Sequence, residues 1–166
     1  MTTPIEIKDG DLSHLYKAKS NIKEAGEGVY SKIPISKGTI VEKANVMPMP
    51  HKNVIDTPMM DYVFSNPYKH DEFLIAFGFG SMYNHSDNPH MTYAYCQKQN
   101  KLIFIAIRDI QPNEEIYISY GPNWWKSRTD KTKIDVKECN KEQEIENEIK
   151  IVGGKRNTIK YKIKKL

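Results

Sequence analysis

The chain has very little cysteine. Only Cys96 and Cys139 occur in its 166 residues, and their positions form no pairing pattern. The sequence therefore gives no disulfide framework, and it predicts a protein of a reducing, intracellular compartment.

Long apolar runs are also absent. No segment approaches the roughly 18 apolar residues that a membrane-spanning helix needs. Residues 1–8 lack a basic start followed by an apolar stretch, so no export signal is predicted. A hydrophobic fraction of 39% with 10% aromatic residues is nevertheless sufficient for one compact core, and we expect a globular protein away from membranes.

A sustained helical period is missing before Trp124. Glycine and proline instead separate short segments rich in β-branched and aromatic residues. These segments predict strands at residues 22–23, 29–33, 39–42, 62–64, 92–96, 102–107 and 116–118. Four prolines between residues 47 and 70 predict an irregular connection there. The first 125 residues are thus predicted as a mainly β domain, without the βαβ rhythm of a Rossmann fold.

Positive charge is scarce in the first 125 residues and concentrated after them. Residues 1–125 contain 12 basic and 14 acidic side chains, whereas residues 126–166 contain 13 and 7. Residues 150–166 have seven Lys or Arg and no acid. This concentration could bind nucleic acid weakly or an acidic protein surface, or it could simply be solvated. We expect one domain over residues 1–125 and a charged extension that packs on it or closes it.

The extension permits two interpretations. One is a charged helix over residues 141–150. The other is a hairpin that turns at Gly153 and sets Glu144 opposite Lys164, with isoleucines opposite one another in the same register. The hairpin is favoured because its charge pairing and its apolar pairing agree.

Three segments contain residues suited to bind or orient a ligand. Gly26 and Gly28 flank a turn whose free backbone amides could approach a ligand closely. Residues 83–90 and 113–121 combine turn formers with histidine, tyrosine and carboxylates. Each segment taken alone is explained by an ordinary turn, with His85 holding its turn through a hydrogen bond.

The order of the three segments changes this interpretation. The successive signature motifs of SET-domain protein-lysine methyltransferases resemble Ala25-Gly-Glu-Gly-Val-Tyr-Ser-Lys, then Asn84-His-Ser-x-x-Pro, then Arg108-Asp-Ile-x-x-x-Glu-Glu-Ile-x-x-x-Tyr-Gly. The resemblance covers about residues 20–125. It implies a fold of small curled β-sheets with the Asn-His-Ser segment threaded beneath a loop near the C-terminal end, in a knot-like arrangement. Cofactor and substrate would enter from opposite faces and meet in a narrow channel.

The resemblance also implies a cofactor, S-adenosyl-L-methionine, and residues that hold it. Backbone groups of Ala25, Gly26 and Glu27 would bind its methionine moiety. Asn84 and His85 match the pair that contacts the cofactor through side-chain and backbone groups.

Four aromatic residues complete the implied site. Tyr120 matches the tyrosine at the methyl-transfer position, and Tyr93 falls where some members place a second channel tyrosine. Trp124 or Trp125 could stack on the adenine through a large apolar face, although packing of the extension explains the pair equally well. We interpret Tyr120 as an orienting group rather than a base, because a phenol with a pKa of about 10 is protonated at neutral pH.

Two departures from the family pattern limit these expectations. Ile118 occupies a position, two before Tyr120, that is often aromatic and linked to the number of methyl groups added, so no product state is predicted. Only Cys139 follows the last motif, where many members bind zinc through several cysteines, and neither zinc nor another metal is predicted. Closure of the channel is then expected from Trp124, Trp125 and the extension.

The resulting expectation is methyl transfer to the ε-amine of a protein lysine, a histone tail being one candidate substrate. Two other classes stay open: an inactive SET-like module that binds chromatin or nucleic acid, and a structural protein that pairs through its extension. The intact Asn84, His85 and Tyr120 favour the enzyme. We expect a nuclear or chromatin location in a eukaryotic or viral source and a cytoplasmic one otherwise, while the oligomeric state stays open.

Overall fold

The computed structural model describes residues 7–126. Its strands are β1 (Leu15–Lys19), β2 (Glu27–Ser31), β3 (Ile40–Pro50), β4 (Val63–Ser65), β5 (Glu72–Ala76), β6 (Asn84–His85), β7 (Met91–Cys96), β8 (Lys101–Ala106) and β9 (Tyr117–Ile118). The helical elements are short 3-10 turns at His51–Asn53, Pro58–Tyr62 and Gly80–Met82, and the terminal helix α1 (Pro122–Lys126). The predicted mainly β class is confirmed.

Several predictions concern residues beyond this range. The hairpin or helix of the extension, the basic segment 150–166 and Cys139 all lie outside the described residues. Between residues 7 and 126, no helix has the length and apolar character needed to cross a membrane.

Most strands belong to one curled sheet with the order β4-β5-β3-β8-β7-β9-β6, while β1 and β2 form a separate antiparallel pair. Near the end of the large sheet, the parallel pairing of β6 with β9 sets Asn84 beside Tyr117 and His85 beside Ile118. Two segments distant in sequence are thereby brought together, as the resemblance implies.

β3 is longer than predicted, because it continues through the proline-containing residues 47–50. It pairs with β8 over residues 40–45 and with β5 over residues 46–50. The Val46 N–H donates towards the β8 side, to the carbonyl of Asn100. Backbone direction repeats every second residue, so Pro48 and Pro50 turn their nitrogens to that same side, beyond the end of β8. No ladder hydrogen bond is lost there, and the predicted irregular connection is wrong for this stretch.

A β-bulge interrupts β3 near its start. The register shifts between the Ile40–Ile105 pair and the Glu42–Phe104 pair, which leaves Val41 as the extra residue. Val41 and Glu42 are both buried at this point. The bulge thus precedes a carboxyl group that lies in the core.

The first strand differs from the prediction. Residues 22–23 belong to the turn between β1 and β2, so the predicted strand there is wrong. β1 was not predicted, because its sequence Leu-Tyr-Lys-Ala-Lys has one buried apolar residue, Leu15. Its stability comes from pairing with β2 and from the ring of Tyr16, which stacks on that of Tyr30 at 5.4 Å. Strands near residues 29–33, 39–42, 62–64, 92–96, 102–107 and 116–118 are present as predicted.

β8 forms the centre of the hydrophobic core. Residues 102–106 are each at most 4% exposed, and the strand pairs with β3 on one edge and β7 on the other. The Phe104 ring lies 5.1 Å from the ring of Tyr83 and 5.9 Å from that of Tyr93. The core therefore positions two tyrosines, one immediately before β6 and one on β7.

Candidate active site

Asn84 connects the three motifs found in the sequence. Its Nδ2 donates to the carbonyl of Glu27 at 3.0 Å and to Oε1 of Glu115 at 3.0 Å, and it lies 3.2 Å from Oγ of Ser20. These bonds fix the plane of the amide, since its two hydrogens are directed at acceptors of the chain. The opposite end of the same amide is the acceptor Oδ1.

Glu115 is the acceptor around which this side of the site is built. It is 1% exposed and accepts from Oγ of Ser20 at 2.7 Å, from the backbone N–H of Asn21 at 2.7 Å and from the hydroxyl of Tyr117 at 2.8 Å. Burial alone would raise the pKa of Glu115, but these bonds and the one from Asn84 lower it below its usual value. The carboxylate is therefore ionised.

Glu115 was missed as a site residue, although it stands in the third motif. The residue in the sequence that is connected to Glu115 is Gly28. In the structure, a Cβ at this position would overlap the Glu115 carboxylate. The second glycine of the first motif is thus explained by contact with the third motif rather than by a ligand.

The first glycine has a different environment. Gly26 has φ +74°, and a Cβ there would meet nothing within 4 Å. Ala25, Gly26 and Glu27 are exposed, and the carbonyl of Glu27 is the one that binds Asn84. The three residues predicted to hold the methionine moiety therefore form an open turn fixed against Asn84.

The His85 ring has defined partners at both nitrogens. Nδ1 accepts the backbone N–H of Tyr120 at 3.1 Å, and Nε2 lies 3.1 Å from Oδ1 of Asp87. Because Nδ1 accepts, the proton of the neutral ring is on Nε2 and is donated to Asp87. Burial lowers the pKa of His85, with Asp87 opposing the shift, so the imidazole is neutral at neutral pH. The ring holds the backbone of Tyr120 in place.

Both tyrosines that were predicted to be catalytic line a small cavity of about 30 Å³. Tyr93 and Tyr120 line it together with Tyr83, Ile118 and Trp124. The Tyr120 hydroxyl donates to the backbone carbonyl of Tyr83 at 2.9 Å. Its hydrogen is therefore directed at the protein.

The Tyr93 side chain lines this cavity in its protonated form. Its ring meets the Phe64 ring edge-on at 4.9 Å. Burial raises the pKa of Tyr93 to about 12, so the hydroxyl is protonated at neutral pH.

The two tryptophans of α1 lie in different surroundings. The Trp124 ring is 4.8 Å from that of Tyr120, at the tyrosine-lined cavity. The Trp125 ring is 5.0 Å from that of His85 and stacks on Tyr120 at 6.5 Å. The pair packs on the motif residues, although neither residue is fully buried.

The indole nitrogen of Trp125 is a buried donor that has no hydrogen-bond partner among residues 7–126. A buried donor of this kind is costly unless an acceptor reaches it. The orphaned Trp125 N–H, the open turn at Gly26 and the fixed amide of Asn84 are chemically suited to an adenosyl and amino-acid ligand. The residues present thus fit S-adenosylmethionine.

A second, more open cavity of about 470 Å³ is lined by polar residues such as His90, Arg108 and Asn113. His90 is 2% exposed, and its Nε2 lies 2.8 Å from Oε1 of Glu114. No predicted catalytic or cofactor-binding residue lines this cavity. Within residues 7–126, no group of three or more His, Cys, Asp and Glu side chains is arranged to hold a metal ion.

Comparison with known proteins agrees with this arrangement. The family profile described as the SET domain matches residues 26–121. A histone-lysine N-methyltransferase of Schizosaccharomyces pombe, specific for H3 lysine-37, is 26% identical over 127 residues, which cover 74% of this chain and 77% of that protein.

Solved structures show the same fold. A Plasmodium falciparum protein, provisionally assigned as a histone methyltransferase, superposes with a TM-score of 0.56 at 30% identity, covering 72% of this chain and 99% of that one. Polycomb repressive complex 2 of Chaetomium thermophilum, solved with S-adenosylmethionine bound, gives a TM-score of 0.57 at 19% identity over 68% of this chain and 16% of that one. The chain belongs to the SET-domain family.

Proposed function

We propose that this protein transfers a methyl group from S-adenosyl-L-methionine to the ε-amine of a protein lysine, and that a histone is its substrate. The family membership supports methyl transfer to lysine. The relatives from Schizosaccharomyces pombe and Plasmodium falciparum, both described as histone methyltransferases, support a histone substrate and a nuclear location.

The observation that carries the proposal is the fixed hydroxyl of Tyr120. The bond to the Tyr83 carbonyl fixes the direction of the hydroxyl, and its oxygen would orient a lysine amine that enters the cavity. Tyr93 and Trp124 surround the same space with aromatic surface. A positively charged cofactor sulfur close to the lysine would lower the pKa of its amine, and this would favour the neutral form that methyl transfer requires.

The cofactor would be held by the residues on the other side of Tyr120. Ala25, Gly26 and Glu27 would bind its amino-acid end, with Asn84 and His85 beside them. The cofactor supplies a methyl group carried on a positively charged sulfur. We assign the adenine contact to Trp125, whose buried N–H needs an acceptor, and the lysine side to Trp124, which lines the cavity.

We also propose that residues 1–125 form the catalytic domain and that the extension 126–166 closes it. The support is the position of Trp124 and Trp125, which lead into the extension directly from the site. Deletion of residues 127–166 should weaken cofactor binding, measured by isothermal titration. Unchanged affinity and unchanged methyl transfer after the deletion would contradict closure by the extension. Weak contact of the basic segment with nucleic acid stays a prediction.

A single experiment tests the central proposal. The protein is incubated with core histones and cofactor bearing a labelled methyl group, and the labelled residue is located by mass spectrometry. We expect label on a lysine, and none with Tyr120→Phe. Cofactor binding without transfer to histones or to any lysate protein would instead favour the inactive binding module.

A further inference from the structure

Glu42 is a buried carboxylate that has no part in the reaction proposed above. It is 3% exposed and follows the bulge in β3. Its Oε2 accepts the hydroxyl of Tyr83 at 2.7 Å, and its Oε1 accepts the backbone N–H of Phe79 at 2.9 Å. No salt bridge within residues 7–126 involves Glu42. A buried charge without a cation is expensive, which calls for an explanation of its presence.

The carboxylate contacts both ends of one short segment. Phe79 stands near the start of this segment and Tyr83 at its end. Gly78 has φ +73°, and a Cβ there would overlap Oε1 of Glu42. A Cβ at Gly80 would overlap that of Ala76. The backbone of residues 78–82 is therefore packed against its surroundings without room for side chains at the two glycines.

Tyr83 connects Glu42 to the cavity. Its side chain is 1% exposed, with the ring packed on Phe104 and the hydroxyl bound to Glu42. Its carbonyl is the acceptor of the Tyr120 hydroxyl. Thus a fixed ring and a fixed carbonyl belong to the same residue, and Asn84 follows it directly in the chain.

We propose that Glu42 is a positioning residue for methyl transfer: through Tyr83 it fixes the carbonyl that directs the Tyr120 hydroxyl. This inference rests on the proposed function. Loss of the carboxylate frees the Tyr83 side chain and lets the carbonyl rotate, so that Tyr120 directs its lone pairs away from the amine. Glu42 does not touch the substrate or cofactor, and its effect is confined to the geometry of the cavity.

The first test does not depend on activity. Tyrosine labelled with carbon-13 at Cζ reports the hydrogen bond of each hydroxyl by NMR, and Tyr120→Phe assigns the Tyr120 signal. We expect Glu42→Gln to move this signal, because an amide cannot accept from both Phe79 and Tyr83 through two oxygens. Ile110→Val, which removes one methyl group from the buried core, is the control and should leave the signal in place.

The second test uses steady-state transfer to core histones. In Glu42→Gln we expect kcat to fall by about tenfold or more, because a misplacement of roughly 1 Å can cost about a hundredfold. The affinity for S-adenosylmethionine should stay within about twofold, since the Asn84 and Glu115 contacts are retained. If the role of Glu42 were merely structural, the variant would lower both kcat and the cofactor affinity, or neither of them.

The outcomes separate the two proposals. If the wild-type protein transfers no methyl group, the proposed function fails, while the NMR comparison still decides on Glu42. An unchanged Tyr120 signal in Glu42→Gln overturns the inference whatever the activity. If Glu42→Gln does not fold, Tyr83→Phe takes its place, since it deletes the hydroxyl and keeps the ring. An unchanged Tyr120 signal in Tyr83→Phe would also overturn the inference.

Discussion

Glu42 and Glu115 are both almost fully buried, and each accepts a hydrogen bond from a tyrosine hydroxyl. Their pKa values nevertheless move in opposite directions. Burial raises the pKa of Glu42, and the bonds from Tyr83 and from the backbone of Phe79 and Gly80 do not offset it. For Glu115, bonds from Asn84, Asn21, Ser20 and Tyr117 outweigh burial and lower the pKa. The direction of each shift follows from the balance between burial and the hydrogen-bond donors around the carboxyl group.

The difference separates the two sides of the site. On the side proposed to bind the cofactor, an ionised Glu115 holds the Asn84 amide. On the side proposed to bind lysine, Glu42 holds the Tyr83 ring with fewer donors. Tyr120 lies between them, fixed through His85 on one side and through the Tyr83 carbonyl on the other.

Removal of the Tyr120 hydroxyl should have the largest effect, because both sides converge on it. In Tyr120→Phe we expect kcat to fall by about a hundredfold or more, within the range known for groups that act directly on the reacting atoms. The cofactor Kd should change by less than about twofold. Transfer assays combined with isothermal titration check this, and near-normal turnover would refute the role of the hydroxyl.

Glu115→Ala should damage the cofactor side selectively. The variant removes one acceptor of the Asn84 amide and the acceptor of the Tyr117 hydroxyl, so we expect a loss of about 3 kcal/mol in the free energy of unfolding. Urea denaturation measures this loss, and titration should show cofactor affinity reduced by about tenfold or more. Glu42→Ala is the matched control, and it should lower stability while affecting cofactor affinity far less. Equal losses of cofactor affinity in Glu115→Ala and Glu42→Ala would contradict the assignment of the two carboxyl groups to different sides of the site.

The tryptophans allow a finer comparison. Trp125→Phe removes the orphaned donor but keeps an aromatic ring, so cofactor affinity should fall by about three- to tenfold, the usual worth of one hydrogen bond. The protein without cofactor should not be destabilised, because the lost N–H has no partner within the described part of the chain. Trp124→Phe should instead change the KM for the lysine substrate. If Trp124→Phe lowered the cofactor affinity and Trp125→Phe changed the KM for the lysine substrate, the two assignments would have to be exchanged.

The smallest effects should appear in the pH dependence of stability. Because the pKa of Glu115 is lowered in the folded protein, its stabilising contribution is present above the unfolded value near 4.5 and is lost as pH falls below it. The raised pKa of Glu42 gives the opposite sign, since its contribution is greatest at low pH and is lost as pH rises past 4.5. Thermal unfolding of Glu115→Gln and Glu42→Gln relative to wild type, from pH 3 to pH 7, should therefore show opposite slopes, with the change for Glu115 below pH 4.5 and that for Glu42 above it. Parallel slopes would contradict the assigned directions.

The sequence was most informative where function depends on local motifs. The segments around Gly26, Asn84 and Tyr120 could be recognised because each is continuous in the chain, and the structure brings them together. The family followed from their order, whereas the mainly β fold followed from short β-rich segments separated by glycine and proline. The roles of the individual site residues stay predictions that the variants above test.

What the sequence could not predict depends on contacts between distant residues. Glu42 reads as a surface residue of a β-strand, because neither the bulge at Val41 nor its bond to Tyr83 leaves a local pattern. β1 forms through its partner β2 rather than through its own composition. The separate environments of Trp124 and Trp125 require the position of α1 against His85 and Tyr120.

The two prolines of β3 have a consequence for the behaviour of the protein in solution. Beyond the end of β8, one flank of this strand pairs with no other strand of residues 7–126, and Met47 beside it is 41% exposed. An apolar flank with free N–H groups would recruit a strand from another molecule. Pro48 and Pro50 remove the donors on that flank, so it is a poor template for pairing with a strand of another molecule.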